Sequence, residues 1–331
     1  MKIKYMFPLF VLFISCKSVP NDVNVKKSWI DLGSISYGID SNQFVEITVP
    51  KNSNQNVNVI FYIHGYGNKM VDLTFLENYR NEYIIGKLDY CYLTPKRTDL
   101  SMDKLLSDVH NGLKALKNTV EMEGIMINKV IIMGNSLGAT LTLMYTYIFF
   151  DISPIPIAFC VTMSGLTDMT DAMIVKFTER PGKKIIQNYM LSLGSILSKE
   201  KLSSNDITEL GFSDTAIEAL KKISPIYYIN KDVLPTIIVH NTNDNIIPFS
   251  NAMSLHNILN AYNVPHIFIQ SVTDYGHELG PNISDRNGMV FAPVDARLPV
   301  STPKRYTRKL HPVLEEKLTE SINQYMAKYC L

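Results

Sequence analysis

Gly134-Asn135-Ser136-Leu137-Gly138 sets a serine between two glycines where the apolar run Val130-Ile131-Ile132-Met133 meets a helical stretch beginning at Leu137. When a strand turns directly into a helix, the positions two before and two after the serine collide unless both are glycine. The turn lifts the hydroxyl to a helix N-terminus, where backbone N–H groups and the helix dipole favour nearby negative charge. A serine hydroxyl is a weak nucleophile at neutral pH, so it needs a base to take its proton and an acid to orient that base. Downstream, the run Thr236–His240 leads into Asn241-Thr242-Asn243-Asp244, four residues ahead of Pro248. Among seven histidines, His110, His256 and His311 fall in or at helical stretches, His240 and His266 in strands, and His64 on a loop that precedes the serine. His277 follows the last strand, after Gly276, and is free to reach Ser136 and Asp244. The expected roles are Ser136 as nucleophile, His277 as base and Asp244 as orienting acid.

Attack by a serine on a carbonyl group also requires donors for the oxyanion that develops. The N–H of Leu137, directly after the nucleophile, is one expected donor. The second is expected after the strand Val57–Ile63, in His64-Gly65-Tyr66-Gly67, from the N–H of Tyr66, with His64 bracing that loop.

The elements that must carry these residues alternate. Strands are expected at Val57–Ile63, Lys87–Leu93, Lys129–Met133, Ile157–Met163, Thr236–His240 and His266–Val272. Helices are expected at Ser101 to about Val120, Leu137–Phe150 and Ser250–Tyr262. Strands separated by helices imply an α/β fold with a mostly parallel central sheet and helices on both faces.

Ser136, Asp244 and His277 occur in the chain order of the α/β-hydrolases, and the sequence resembles the bacterial carboxylesterase and feruloyl-esterase-like branch of the esterase/lipase group. Tyr37-Gly38 with Gln43 and Pro50 resembles that branch's opening strands. Asp89-Tyr90 through Leu93-Thr94-Pro95-Lys96 resembles its "Y-R-L-x-P-E" segment, with Cys91 and Lys96 in place of Arg and Glu. Asp108 sits where the next helix usually carries an Asp, and Ser224-Pro225-Ile226 ahead of Pro235-Thr236 resembles the lead-in to the acid-bearing strand. The resemblance implies hydrolysis of a carboxylic ester through an acyl-enzyme, without metal or organic cofactor. Serine peptidases and acyl-aminoacyl hydrolases use the same triad, and a binding lipoprotein on this fold without chemistry is the alternative from another class.

Substrate choice is expected to lie in two segments. Leu166–Ile223 reads as a helical cap insertion, whose Met173, Ile174, Phe177, Ile186, Tyr189, Met190 and Leu193 either line an acyl pocket or pack the cap on the body. Pro281–Leu310 is a long link holding Arg286, Arg297, Lys304, Arg305, Arg308 and Lys309 against Asp285 and Asp295, either a site for anionic groups or a solvated basic loop.

At the other end, Lys2 and Lys4 precede the apolar run Met6–Ile14, and Phe13-Ile14-Ser15-Cys16 resembles the bacterial lipoprotein box. The expected organisation is a signal peptide over 1–15, a polar tether over 16–27 attached to lipid at Cys16, and a hydrolase domain over 28–331. That places the protein in a bacterial cell envelope with its catalytic domain outside the cytoplasm. Composition agrees with a globular domain: 331 residues, 46% hydrophobic, with 32 Lys and Arg against 31 Asp and Glu. A net charge of +1 supplies no basic field for nucleic acid. Four cysteines are too few for a disulfide scaffold, and Cys91 and Cys160 read as small buried apolar residues. The expected partners are a small-molecule or carbohydrate-linked ester and a membrane.

Overall fold

Consecutive residues of one strand feed two different cores, which is what a sheet covered on both faces requires. In the strand Val57–Ile63, Val59, Phe61 and Ile63 join one hydrophobic cluster, while Ile60 and Tyr62 join another on the opposite face. The computed structural model describes residues 29–40, 43–51, 56–65, 71–88, 100–178, 184–280, 282–283 and 306–330. Among the described residues eight strands make the central sheet: β1 (Trp29–Ser36), β2 (Phe44–Pro50), β3 (Val57–Ile63), β4 (Ile84–Leu88), β5 (Ile127–Asn135), β6 (Ile157–Met163), β7 (Thr236–Asn241) and β8 (His266–Ser271). Their order is β1-β2-β4-β3-β5-β6-β7-β8. The pairs β1/β2 and β2/β4 are antiparallel and the other five are parallel.

The helices are α1 (Met102–Met122), α2 (Leu137–Phe149), α3 (Ala172–Thr178), α4 (Lys184–Ser198), α5 (Asp214–Lys221), α6 (Phe249–Ala261) and α7 (Pro312–Tyr329). Leu105, Val109, Leu113, Leu116 and Val120 of α1 recur at helical spacing and are fully buried beside β3 and β5. Truncating one of these leucines to alanine costs about 2–5 kcal/mol. Leu314, Leu318 and Ile322 of α7 seal the other face. At the α1 end of the sheet, the Gln43 amide donates to the buried Asp108 carboxylate at 2.9 Å, joining two positions on which the family resemblance rests.

The strand expected at Lys87–Leu93 begins earlier, with Ile84–Leu88 described, and its expected residues 89–93 lie outside the described residues. At Gly86 the side chains of Leu116 and Phe61 close on the strand, where a Cβ would overlap them. Residues 89–99, with the Asp89–Lys96 segment and Cys91, lie outside the described residues. Cys160 and Cys330 are buried free thiols.

Between β6 and β7, α3, α4 and α5 form the helical insertion, together with a two-stranded ribbon, Ile207–Thr208 against Gly211–Phe212, that the sequence did not announce. Ile174, Met190 and Leu193 are buried, with Leu220 and Ile223, in the same hydrophobic cluster as Leu137 and Leu141 of α2 and Ile247 of the body, whereas Met173 is exposed. The side chains of Phe177, Ile186 and Tyr189 lie outside the described residues. The root of the cap is stapled to α6: the Asn251 side-chain oxygen accepts from the N–H groups of Thr167 and Asp168 at 3.0 and 2.9 Å. Of the 281–310 link, two short strands are described. Asn282–Ile283 pairs with Tyr306–Arg308, which pairs with Val71–Leu73. Arg286, Arg297, Lys304 and Arg305 lie outside the described residues, as do residues 1–28 with Cys16. Among the described residues no helix is long and apolar enough to cross a membrane.

Candidate active site

The sharp turn between β5 and α2 forces Ser136 into an unusual backbone conformation, φ 53° and ψ −125°. A non-glycine residue persists there only when its surroundings over-determine it. Here the Ser136 N–H donates to the Met163 carbonyl on β6 at 2.9 Å, and the Ser136 carbonyl accepts from Ala139 and Thr140 as α2 begins. A side chain at Gly138 would overlap the carbonyl oxygens of Ile63 and His64, and one at Gly134 would overlap Gly138 itself. Both glycines are therefore steric requirements of the turn.

Asp244 and His277 reach Ser136 from the ends of β7 and β8. His277 Nε2 lies 3.0 Å from Ser136 Oγ, and its Nδ1 lies 2.8 Å from Asp244 Oδ2. A carboxylate only accepts, so Nδ1–H donates to Asp244 and the Nε2 lone pair faces the serine hydroxyl. The other carboxylate oxygen, Oδ1, accepts from the N–H groups of Ile246 and Ile247 at 2.8 and 2.9 Å. Burial would raise the Asp244 carboxyl, but His277, His240 and the Ile247 N–H outweigh it and hold the group below the usual carboxylate range. Gly276, at φ 56°, turns the chain into the short 3-10 turn that presents His277.

Sequence reasoning missed three residues that organise this site. Asn135 accepts at one side-chain oxygen from the Tyr62 hydroxyl, at 2.6 Å, and from the Gly65 N–H, at 3.0 Å. The residue before the nucleophile thereby fixes the start of the loop expected to supply an oxyanion donor. Tyr66 itself lies outside the described residues, and Leu137 opens α2, where the first N–H groups have no intrahelical partner. His64 is buried, with Nδ1 donating to the carbonyl of Gly65. Asn241 bridges the turn carrying Asp244 to the loop carrying His277 through Thr273. His240, read only as a strand residue, sits against Asp244, with Nε2 at 3.4 Å from Oδ2. A polar residue at a strand end beside a motif was the available signal, but it does not say which partner it meets.

Of the other histidines, His110 meets Tyr145, His256 and His266 meet each other, and His311 packs on Tyr275, two residues before His277. No group of three His, Cys, Asp or Glu side chains among the described residues is placed to hold a metal ion.

The sequence of residues 45–259 matches the profile of BD-FAE, an α/β-hydrolase-type esterase family. The chain belongs to the BD-FAE family. The matched segment includes Ser136 and Asp244 and ends before His277, which joins them through the fold. No curated protein matches the sequence significantly. Among solved structures, Esterase B from Lactobacillus rhamnosis is similar over 92% of this chain and 88% of that chain, at 14% identity and a TM-score of 0.60. Esterase 2 of Thermogutta terrifontis, phosphoramylated by tabun, is similar over 89% of this chain and 93% of that one, at 11% identity and a TM-score of 0.55. A bifunctional GH43-CE protein of Bacteroides eggerthii is similar over 76% of this chain and 35% of its own length, at 13% identity and a TM-score of 0.52. These likenesses establish the α/β-hydrolase fold, in agreement with the parallel sheet expected from the sequence.

Proposed function

We propose that this BD-FAE chain is a serine esterase that cleaves carboxylic esters through an acyl-enzyme. The observation that carries the reading is the continuous line Ser136 Oγ–His277 Nε2 and His277 Nδ1–Asp244 Oδ2, at 3.0 and 2.8 Å. Ser136 Oγ attacks the ester carbonyl carbon while His277 Nε2 takes its proton. The resulting imidazolium is stabilised by the Asp244 carboxylate. The N–H groups of Leu137 and Tyr66 are proposed to hold the oxyanion. As the tetrahedral intermediate collapses, the C–O bond to the alcohol breaks and the His277 proton goes to the departing oxygen. Water then attacks the acyl-serine with His277 as base, releasing the carboxylic acid and restoring Ser136. Every proton is returned, so the cycle calls for neither a metal nor an organic cofactor.

The substrate is proposed to be a small or carbohydrate-linked ester. Structures of Esterase B inhibited by a tributyrin phosphonate and of a protein that joins GH43 and CE units, both on this fold, support that reading. The N-terminal segment is proposed to be removed at Cys16, leaving the hydrolase tethered by lipid to the outside of the cytoplasmic boundary. Labelling the purified full chain with a fluorophosphonate and screening short p-nitrophenyl esters tests the chemistry. Labelling at Ser136 together with ester turnover is the expected result; neither would favour a binding protein on the same fold.

A further inference from the structure

Asp244 Oδ2 is approached by two imidazoles. One belongs to His277. The other belongs to His240, which is almost fully buried at the end of β7, four residues before the acid. Its Nε2 stands 3.2 Å from the Ile247 carbonyl and 3.4 Å from Asp244 Oδ2. Both neighbours are acceptors, so Nε2 must carry a proton, and the tautomer of His240 is fixed. On α6, Phe249 presents only its ring, 6.0 Å between centroids. Asp244 and His277 are the charged or titratable groups acting on His240, and burial keeps its imidazole neutral by lowering its pKa.

We propose that His240 is a positioning residue for the hydrolytic reaction: its Nε2–H, donated to Ile247, locks the 244–247 turn and sets a positive dipole 3.4 Å from the carboxylate oxygen that serves His277. The inference rests on the esterase reading. The geometry has two consequences. The first is orientation. The Ile247 carbonyl belongs to the turn whose N–H groups hold Oδ1, so loss of its donor loosens that turn and lets the Asp244–His277 pair move together relative to Ser136 Oγ. The second is electrostatic. The positive end of the Nε2–H dipole beside Oδ2 stabilises that oxygen's negative charge, so its removal strengthens the carboxylate's hold on the imidazolium and favours the protonated, inactive base.

The test compares His240→Leu, His240→Gln and His240→Asn in the purified full chain, with p-nitrophenyl butyrate as substrate and Ser136→Ala as the blank. The amide nitrogen of Gln overlays imidazole Nε2, whereas that of Asn overlays Nδ1 and points away from both acceptors. In His240→Leu, kcat should fall roughly ten- to a hundredfold. KM should change little, and the midpoint of the rising acid limb of kcat/KM should move upward by roughly half a pH unit. His240→Gln should return the midpoint to that of the wild type; His240→Asn should behave like His240→Leu. Asp274, Tyr275 and Glu278 beside His277, and His311, which packs on Tyr275, are the same in every variant and cannot produce the difference. Should His240→Leu fail to fold, the Gln and Asn pair carries the comparison. A purely structural role would lower the melting temperature and the active fraction with equal midpoints in all variants, and that result overturns the proposal. A wild-type chain that neither labels with fluorophosphonate nor turns over ester overturns the esterase reading and this inference with it.

Discussion

Asn241 and Thr273 are bonded twice: the Asn241 amide donates to the Thr273 carbonyl at 2.9 Å and to its hydroxyl at 3.0 Å. One buried side chain thus ties the turn that presents Asp244 to the loop that presents His277, while its own oxygen accepts from the Asn243 N–H. Asn241→Ala strands these partners, at about 1–3 kcal/mol for each buried group left unpaired. Because the acid and base would then drift independently, kcat should fall roughly a hundredfold. Urea denaturation and steady-state kinetics check both effects; wild-type values in each would show that the bridge does not hold the two loops.

Asn135 plays a matching part on the other side of the nucleophile. Asn135→Ala removes the acceptor shared by the Tyr62 hydroxyl and the Gly65 N–H, so the loop leading to Tyr66 loses this anchor. The expected outcome is a loss in kcat of roughly ten- to a hundredfold with KM nearly unchanged, since an oxyanion donor acts mainly in the transition state. Tyr62→Phe removes one of the two bonds and should lose less. A variant in which KM rises and kcat is kept would place Asn135 in substrate binding instead.

What the sequence makes legible here depends on how far apart the interacting residues lie. Gly134, Ser136 and Gly138 constrain one another within a single turn, so their meaning is local and readable. Asp244 and His277 are readable because the end of a strand and the order in the chain restrict where a side chain can point. Asn241 and Thr273 are 32 residues apart, and Asn135 is 70 from Gly65; no local pattern announces either bond. The same holds for the fold. The interior strands show as apolar runs, but β1 is largely exposed and takes its register from pairing with β2. The ribbon in the cap has two residues per strand, too few to form a pattern.

The burial of His240 has a consequence for stability. Its folded pKa is lowered below the unfolded value of about 6.5, so over the interval between them the unfolded chain binds more protons. Stability contributed by the neutral form is present above that value and is lost as pH falls through it, with a slope of at most about 1.4 kcal/mol per pH unit. Melting temperatures from pH 8 down to 5 should therefore decline less steeply in His240→Gln than in the wild type. The lowered Asp244 carboxyl acts in a separate window, stabilising above its unfolded pKa near 4 and ceasing to do so as pH drops through its folded value. Parallel profiles for the two proteins above pH 5 would rule out a neutral buried His240 as a source of acid sensitivity.

The anchor proposal is separable from the chemistry. Cys16→Ala should release the protein from the membrane fraction while the specific activity of the hydrolase stays at the wild-type level, because the proposed attachment at Cys16 precedes the first described strand, which begins at Trp29. Fractionation with detergent-free washing gives the answer; continued sedimentation with membranes would place the attachment elsewhere.

The central claim is that Ser136 attacks the ester from its strained turn with His277 as its base. Its most direct measurement is the turnover number of Ser136→Ala against p-nitrophenyl butyrate, beside circular dichroism to verify folding. The substitution removes only the hydroxyl and leaves both flanking glycines in place. Turnover is expected to drop by roughly 10⁴- to 10⁶-fold with the fold intact. Turnover within about tenfold of the wild type in a folded Ser136→Ala protein would contradict the mechanism.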